Sequence, residues 1–136
     1  MKKLTIKTGD KCQLLDITSR INETIASHGF KEGALLLMVP HTTAGITINE
    51  THDTSVKKDI IDQLNKIVPF SGNYSHREGN SPAHIKSSFV GCDQMVPIEK
   101  GQMVLGTWQG VFFCEFDGPR NRNLYIKYLN SDCNSQ

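Results

Sequence analysis

Gly33-Ala34-Leu35-Leu36-Leu37-Met38-Val39-Pro40-His41-Thr42-Thr43-Ala44-Gly45-Ile46-Thr47-Ile48-Asn49 is the stretch on which the reading of this chain turns. From Gly33 to Val39 it is an unbroken apolar run of strand length, which predicts a central strand buried on both faces. From Ala44 to Asn49 apolar and polar residues alternate, as in a strand lying beside the first with one face in the core. His41 follows Pro40 at the C-terminal end of the most buried strand, so the backbone that carries it is expected to be stiff.

Working outward, Leu4 and Ile6, then Leu14, Leu15 and Ile17, predict two short strands joined by the turn Thr8-Gly9-Asp10-Lys11. Thr18 or Ser19 is the expected N-cap of a helix carrying Ile21, Ile25 and Ala26, with Gly29 as its stop. His28 falls in its last turn, where an imidazole suits the helix dipole, and reads as structural. A second helix is expected from Asp53 or Thr54, with Val56, Ile60, Ile61, Leu64, Ile67 and Val68 as a core-packing stripe and Pro69 as its end. Phe70 to Pro82 reads as a long loop, of the kind that is often functional. Beyond it the chain reads as all-β: His84 through Val90, Met95 to Ile98, Met103 to Phe116, and Leu124 to Leu129. The expected fold is α+β: a single compact domain over residues 1–136, a mostly antiparallel sheet with two main helices packed on it.

Composition narrows the function classes. An apolar share of 38% and a charged share of 21% describe a globular chain, and 136 residues are enough to bury about two thirds of the unfolded surface. The net charge of +1, with the two signs interspersed, provides no electrostatic footprint for nucleic acid or an anionic membrane. No apolar stretch approaches the roughly 18 residues that span a bilayer. The N-terminus lacks the apolar region of a signal peptide. Cys12, Cys92, Cys114 and Cys133 form no Cys-x-x-Cys pair, so reduced thiols in a cytoplasmic protein are expected. Cys114, inside Val111-Phe112-Phe113-Cys114-Glu115-Phe116, reads as a small core hydrophobe.

Three of the five histidines are candidate metal ligands: His41, and the pair His76 and His84 that bracket a stretch rich in turn formers. Neutral imidazole is the commonest zinc ligand, and three histidines with an open position describe a catalytic site. The 34 and 7 residues between them match no short metal motif, so ordinary loop histidines remain the alternative. Thr42 and Thr43 offer hydroxyls and amides for substrate at the same edge. Glu50 is the carboxylate expected to serve as general base or fourth ligand. Asp53 is its rival and reads more simply as an N-cap; His52 reads as an exposed loop residue.

Glu115-Phe116-Asp117-Gly118-Pro119-Arg120-Asn121-Arg122 is the second constellation. Gly118-Pro119 makes a sharp bend that would hold Arg120 for a bidentate grip on phosphate or carboxylate, or leave it in a salt bridge with Glu115 or Asp117. In Gly106-Thr107-Trp108-Gln109-Gly110 two glycines surround the only tryptophan, a mark of a bulge or a close approach. Trp108 could wall a substrate pocket, sit in the core, or pack in a subunit interface.

Taken together the segments resemble the YjbQ-like family, small bacterial and archaeal proteins. The markers are His41 through Glu50, Pro69 to Tyr74-x-His76, Ala83 to Ser88, Gly101-x-x-x-Leu105-Gly106-Thr107-Trp108-Gln109, and Glu115-x-Asp117-Gly118-Pro119-Arg120-x-Arg122, in order over nearly the whole chain. The resemblance implies a compact α+β fold, a homotrimer, and a metal site from His41, His76 and His84. It also implies a weak thiamine-phosphate-synthase activity, the joining of a thiazole phosphate to a pyrimidine diphosphate with loss of pyrophosphate. This sequence carries no Gly-x-x-x-x-Gly-Lys and no carboxylate cluster typical of Mg²⁺-diphosphate sites.

Three expectations follow. The first is an enzyme dependent on a divalent ion (Zn²⁺, with Mn²⁺ or Ni²⁺ as alternatives) and acting on a small phosphorylated or anionic metabolite. In it His41, His76 and His84 hold the ion, Glu50 moves protons and Arg120 grips the anion. The second is a non-catalytic metal- or anion-binding module or sensor built on the same pocket. The third is a structural trimer whose histidines join protomers.

Overall fold

The structure, a computed structural model, describes residues 1–131. Cys133 lies outside the described residues; Cys12, Cys92 and Cys114 are free thiols. The elements in order are β1 (Lys2–Lys7), β2 (Gln13–Asp16), α1 (Thr18–Ser27), β3 (Gly33–Met38), β4 (Ala44–Glu50), α2 (Thr54–Ile67), α3 (Ser81–Val90), β5 (Asp93–Glu99), β6 (Gln102–Met103), β7 (Gln109–Glu115) and β8 (Asn121–Asn130). The α+β class holds. No helix among the described residues is long and apolar enough to cross a membrane.

The strands form two sheets rather than one. β1-β8-β3-β5-β6 make a five-stranded sheet and β2-β7-β4 a three-stranded one, with every pairing antiparallel. β4 therefore does not lie beside β3; the short link from Val39 to Thr43 carries the chain from one sheet to the other. One core fills the space between the sheets, where Ile6, Leu35, Leu37, Leu124 and Ile126 meet Ile46, Val111 and Phe113, with Ile21 and Ile25 of α1 against the same cluster. A second cluster, Leu14, Ala83, Phe112, Cys114 and Phe116, lies against Ile60, Ile61 and Leu64 of α2.

β7 thus occupies the place expected of β3. Its odd-numbered side chains enter one core and its even-numbered ones the other, and only its first residue is exposed. β3 buries Leu35 and Leu37 on one face, while Met38 on the opposite face is 38% exposed. The continuous apolar run of β3 therefore reflects something other than two buried faces. Met95 and Leu129 are exposed on that same outer face, in register with Leu36 and Ala34. An antiparallel sheet normally turns polar residues outward there.

Local signals explain most of the helix ends. Asp53 caps α2 by accepting the Ser55 N–H at 3.0 Å, and Pro69 follows its C-cap Val68. α1 differs: neither Thr18 nor Ser19 caps it. Asp16, two residues before Thr18, accepts from the Thr18 N–H and hydroxyl at 3.0 and 2.7 Å. His28 is structural, its Nδ1 2.9 Å from the Thr24 carbonyl and its ring stacked on Phe30.

The clearest departure is α3. Residues 84–90, read as a strand, are helical, with Pro82 in the first turn and Gly91 (φ 95°) just past the end, both apt helix punctuation. The helical period was hidden because the buried face carries Lys86 and Ser87. Lys86 gives its Nζ to Asn65 Oδ1 at 2.6 Å over the Phe70 ring, and Ser87 bonds the Ala44 carbonyl at 2.6 Å. α3 also approaches β4 closely: a Cβ at Gly45 would stand 2.6 Å from the Gly91 carbonyl oxygen, so position 45 needs glycine.

A candidate anion-binding active site

The crossover from β3 to β4, the first turn of α3, the loop before it and the start of β8 enclose a cleft of about 680 Å³. His41, His76 and His84 all line it, together with Thr42, Thr43, Arg120 and Arg122. His84 arrives on a helix and not on a strand. The His76 and His84 rings stand edge to face with centroids 5.3 Å apart, and Glu78 lies 3.9 Å from His76 Nε2.

His41 is held differently. Its Nε2 accepts the backbone N–H of Asn123 on β8 at 2.9 Å. That bond consumes the Nε2 lone pair and leaves Nδ1 to carry the proton of the neutral ring. Burial lowers its pKa, and the guanidiniums of Arg122 and Arg120 lower it further, so the neutral ring is favoured. A ring in this tautomer donates at Nδ1 and has no lone pair left for a metal ion. Among the described residues no three His, Cys, Asp or Glu side chains come together in a metal-holding group. The three-histidine ligand set does not fit the donor arrangement seen here.

Beneath the cleft lies a buried ion pair. Glu115 is 0% and Arg122 2% exposed. Arg122 Nε donates to Glu115 Oε1 at 2.9 Å, and Nη2 reaches Glu115 Oε2, the Thr43 hydroxyl at 2.8 Å and the Thr43 carbonyl at 3.1 Å. Thr8 Oγ1 and the Asp117 N–H also donate to Glu115. Burial would raise the Glu115 carboxyl, but Arg122 and these donors outweigh it and hold the pKa below the ordinary carboxylate value.

One corner of Arg122 is left over. Among the described residues Nη1 has no hydrogen-bond partner, yet it is not a shielded orphan, since Asn80 Oδ1 is the one buried side-chain polar atom without a partner. Nη1 therefore opens to the cleft that Arg122 lines. A guanidinium that is always charged and locked on two edges presents a fixed pair of N–H donors there.

The other sequence-level candidates fall out as follows. Arg120 lines the cleft but is half exposed and bonded to Asp117, Nε to its carbonyl at 2.9 Å and Nη2 to Oδ2 at 3.0 Å, so the salt bridge is what forms. Thr42 lines the cleft, while both oxygens of Thr43 are taken by Arg122. Glu50 ends β4 at the opposite end from His41; at about 3.3 Å per residue the strand separates them by roughly 20 Å. Its carboxylate accepts from the His52 N–H. Trp108 is 59% exposed and meets the His52 ring edge-on at 4.8 Å. Neither lines the cleft.

Sequence reasoning missed Arg122, Asn80, Glu78 and Cys92, which line it too. Arg122 had a signal. It stands in phase with Leu124 and Ile126 along β8, as Glu115 does with Val111 and Phe113 along β7. Opposite charges in phase with buried residues call for a buried pair.

The fold and cleft thus define a class: a small two-sheet α+β domain with a histidine- and arginine-lined pocket at a crossover between sheets. The family model described as UPF0047 protein YjbQ-like matches residues 2–131, and the chain belongs to that family. The chain is 54% identical over 127 residues to the UPF0047 protein MJ1081 of Methanocaldococcus jannaschii, covering 93% of this chain and 92% of that protein. It is 48% identical to the UPF0047 protein YugU of Bacillus subtilis, covering 95% and 98%. Among solved structures, a YjbQ/UPF0047-family protein of Clostridium acetobutylicum superposes with a TM-score of 0.92 at 45% identity, over 95% of this chain and all of that one.

Proposed function

We propose that the protein is an enzyme acting on a small phosphorylated or otherwise anionic metabolite. The observation that carries this reading is the locked Arg122, whose open Nη1 edge faces a cleft that also holds a neutral His41 donor and the paired imidazoles of His76 and His84. Arg122 and His41 bind the anion. His76 and His84 move protons, since imidazole is suited to take up and release them near neutral pH. Thiamine-phosphate synthesis suits such a cleft because both of its substrates present phosphoryl groups. Arg122 replaces Arg120 as the anion grip, and Glu50 has no part in the chemistry.

The test is a turnover screen of phosphorylated metabolites with the wild type, His76→Gln and His84→Gln. Turnover that falls at least about a hundredfold in either variant while binding persists supports the enzyme. Binding without turnover in any of the three proteins makes it a sensor or binding module instead.

A second reading is favoured by the nearness of the His76 and His84 rings. In it a divalent ion, Zn²⁺, Mn²⁺ or Ni²⁺, is held by these two and by a His41 turned away from Asn123. We also propose a homotrimer, supported by the apolar outer face around Met38, Met95 and Leu129; large exposed apolar patches mark association surfaces.

A further inference from the structure

We infer that Phe70, whose ring covers the buried ammonium of Lys86, is the residue that positions His76 against His84. This rests on the anion reading above and deepens it: the imidazole pair is set by a positioning residue that lies outside the cleft.

Lys86 is the group that calls for an explanation. It is 0% exposed, and among the described residues no ion pair joins it to a carboxylate. Its one hydrogen bond runs from Nζ to Asn65 Oδ1 at 2.6 Å, and burial lowers its pKa. A buried charge is costly unless neighbouring groups replace the water it has lost. The Phe70 ring does so. Its centroid is 4.0 Å from Lys86 Nζ, inside the reach of a cation–π contact, and such contacts strengthen as water is excluded. Lys11 Nζ stands 5.4 Å from the same centroid. Phe70 is itself 45% exposed, so apolar burial alone gives the ring a weak hold, and the ammonium beneath it supplies the rest.

Helix and loop meet at this contact. Lys86 lies two residues from His84 on α3, and Phe70 begins the segment that carries His76 and Glu78 into the cleft. Residues 71–79 are otherwise held lightly. Among the described residues their hydrogen bonds and ion pairs run within the segment or to Pro69. The Tyr74 hydroxyl donates to the Pro69 carbonyl at 2.6 Å, the Gly79 N–H donates to the His76 carbonyl at 3.3 Å, and His76 Nε2 lies 3.9 Å from Glu78. The far end is tied at Asn80, whose Nδ2 donates to Asp117. After the buried Val68, Phe70 is the tie at the near end, and it is made to the helix that carries His84. The edge-to-face approach of the two imidazoles at 5.3 Å therefore depends on a residue that does not line the cleft.

The experiment is proton NMR of the full chain, with calorimetric titration of inorganic phosphate, on the wild type, Phe70→Leu and Phe70→Tyr. In the wild type the Lys86 ε-methylene protons should resonate upfield of the ordinary lysine position, shifted by the ring. The His76 and His84 ring protons should share a nuclear Overhauser effect. Phe70→Leu, which keeps an apolar side chain but no π face, should lose that effect, and Phe70→Tyr, which keeps the ring, should retain it. Phosphate affinity should stay within about twofold in both variants, because Phe70 shares no bonded partner with Arg122 or His41. Absence of either signal in the wild type overturns the inference and needs no variant to fold. So does an Overhauser effect that survives Phe70→Leu or is lost equally in Phe70→Tyr. A loss of phosphate affinity of about tenfold in Phe70→Leu also overturns it, since the change would then reach beyond the segment. Both signals are read without ligand, so a wild type that shows them and binds no phosphate defeats the anion reading but not the positioning.

Discussion

His41 Nε2 and the backbone N–H of Asn123 are 2.9 Å apart, joining the link between the two sheets to the start of β8. The bond fixes the ring's tautomer, aims its remaining proton away from β8, and ties a cleft residue to a strand 82 positions along the chain. A protonated ring could not accept that bond. Anything that charges His41 therefore loosens one wall of the cleft.

A pH dependence follows. The folded-state pKa of His41 is lowered, by burial first and then by Arg122 and Arg120, so the unfolded chain takes up this proton more readily than the folded one. The contribution to stability is fully present above the unfolded value of about 6.5 and is lost as pH falls through the lower folded value. Urea midpoints of the wild type should fall more between pH 7.5 and pH 5 than those of His41→Gln. Parallel curves for the two proteins would contradict the assigned tautomer.

The Glu115–Arg122 pair is expected to be costly to break on one side. Glu115→Gln leaves a buried guanidinium uncompensated and should cost about 3–5 kcal/mol in denaturant unfolding. Replacing both, Glu115→Leu with Arg122→Met, should recover most of that loss, since an apolar pair of similar volume is often as stable. The double variant should nevertheless fail to bind inorganic phosphate. Phosphate affinity equal to that of the wild type would remove Arg122 from the site.

Gly45→Ala drives a methyl group to within 2.6 Å of the Gly91 carbonyl oxygen and must push α3 from β4. A loss of about 1–3 kcal/mol is expected, and the weakening should extend to phosphate binding because α3 carries His84. An unshifted melting temperature would show that the helix end yields freely.

Metal dependence separates the two readings of the histidines. Protein dialysed against a chelator should bind inorganic phosphate as tightly as protein supplemented with Zn²⁺, Mn²⁺ or Ni²⁺. A requirement for about one ion per chain, abolished by His41→Ala, would favour the second reading and require the Asn123 bond to open.

Association can be read from mass. Sedimentation should give three times the 15.2 kDa chain mass, and Met95→Lys, on the exposed outer face, should lower it. A wild-type monomer would leave that face without an occupant.

How far the sequence carried is clearest at particular residues. Local chemistry was legible: the Asp53 cap, the Pro69 stop, the strands around Ile6 and Ile126, and three histidines that do share a cleft. Pairing was not, because alternation reports a buried face and says nothing of which sheet provides the neighbour; β4 went to β7. α3 misled because a helix that buries Lys86 and Ser87 has no apolar stripe to read. Glu50 misled because nine positions in sequence, run out along a strand, become a distance no side chain spans. Arg120 drew attention for its Gly-Pro hinge, while Arg122, two residues on, had the phase of a buried residue and the role.

β7 has one more consequence. Phe112 and Phe113 are covalent neighbours that belong to different cores, so neither core can melt without releasing the backbone that braces the other. The domain should lose its two layers in a single transition, with the β7 amides among its slowest to exchange with deuterated solvent. The histidine cleft, built where the chain changes sheets, then inherits the rigidity of both layers rather than of either one.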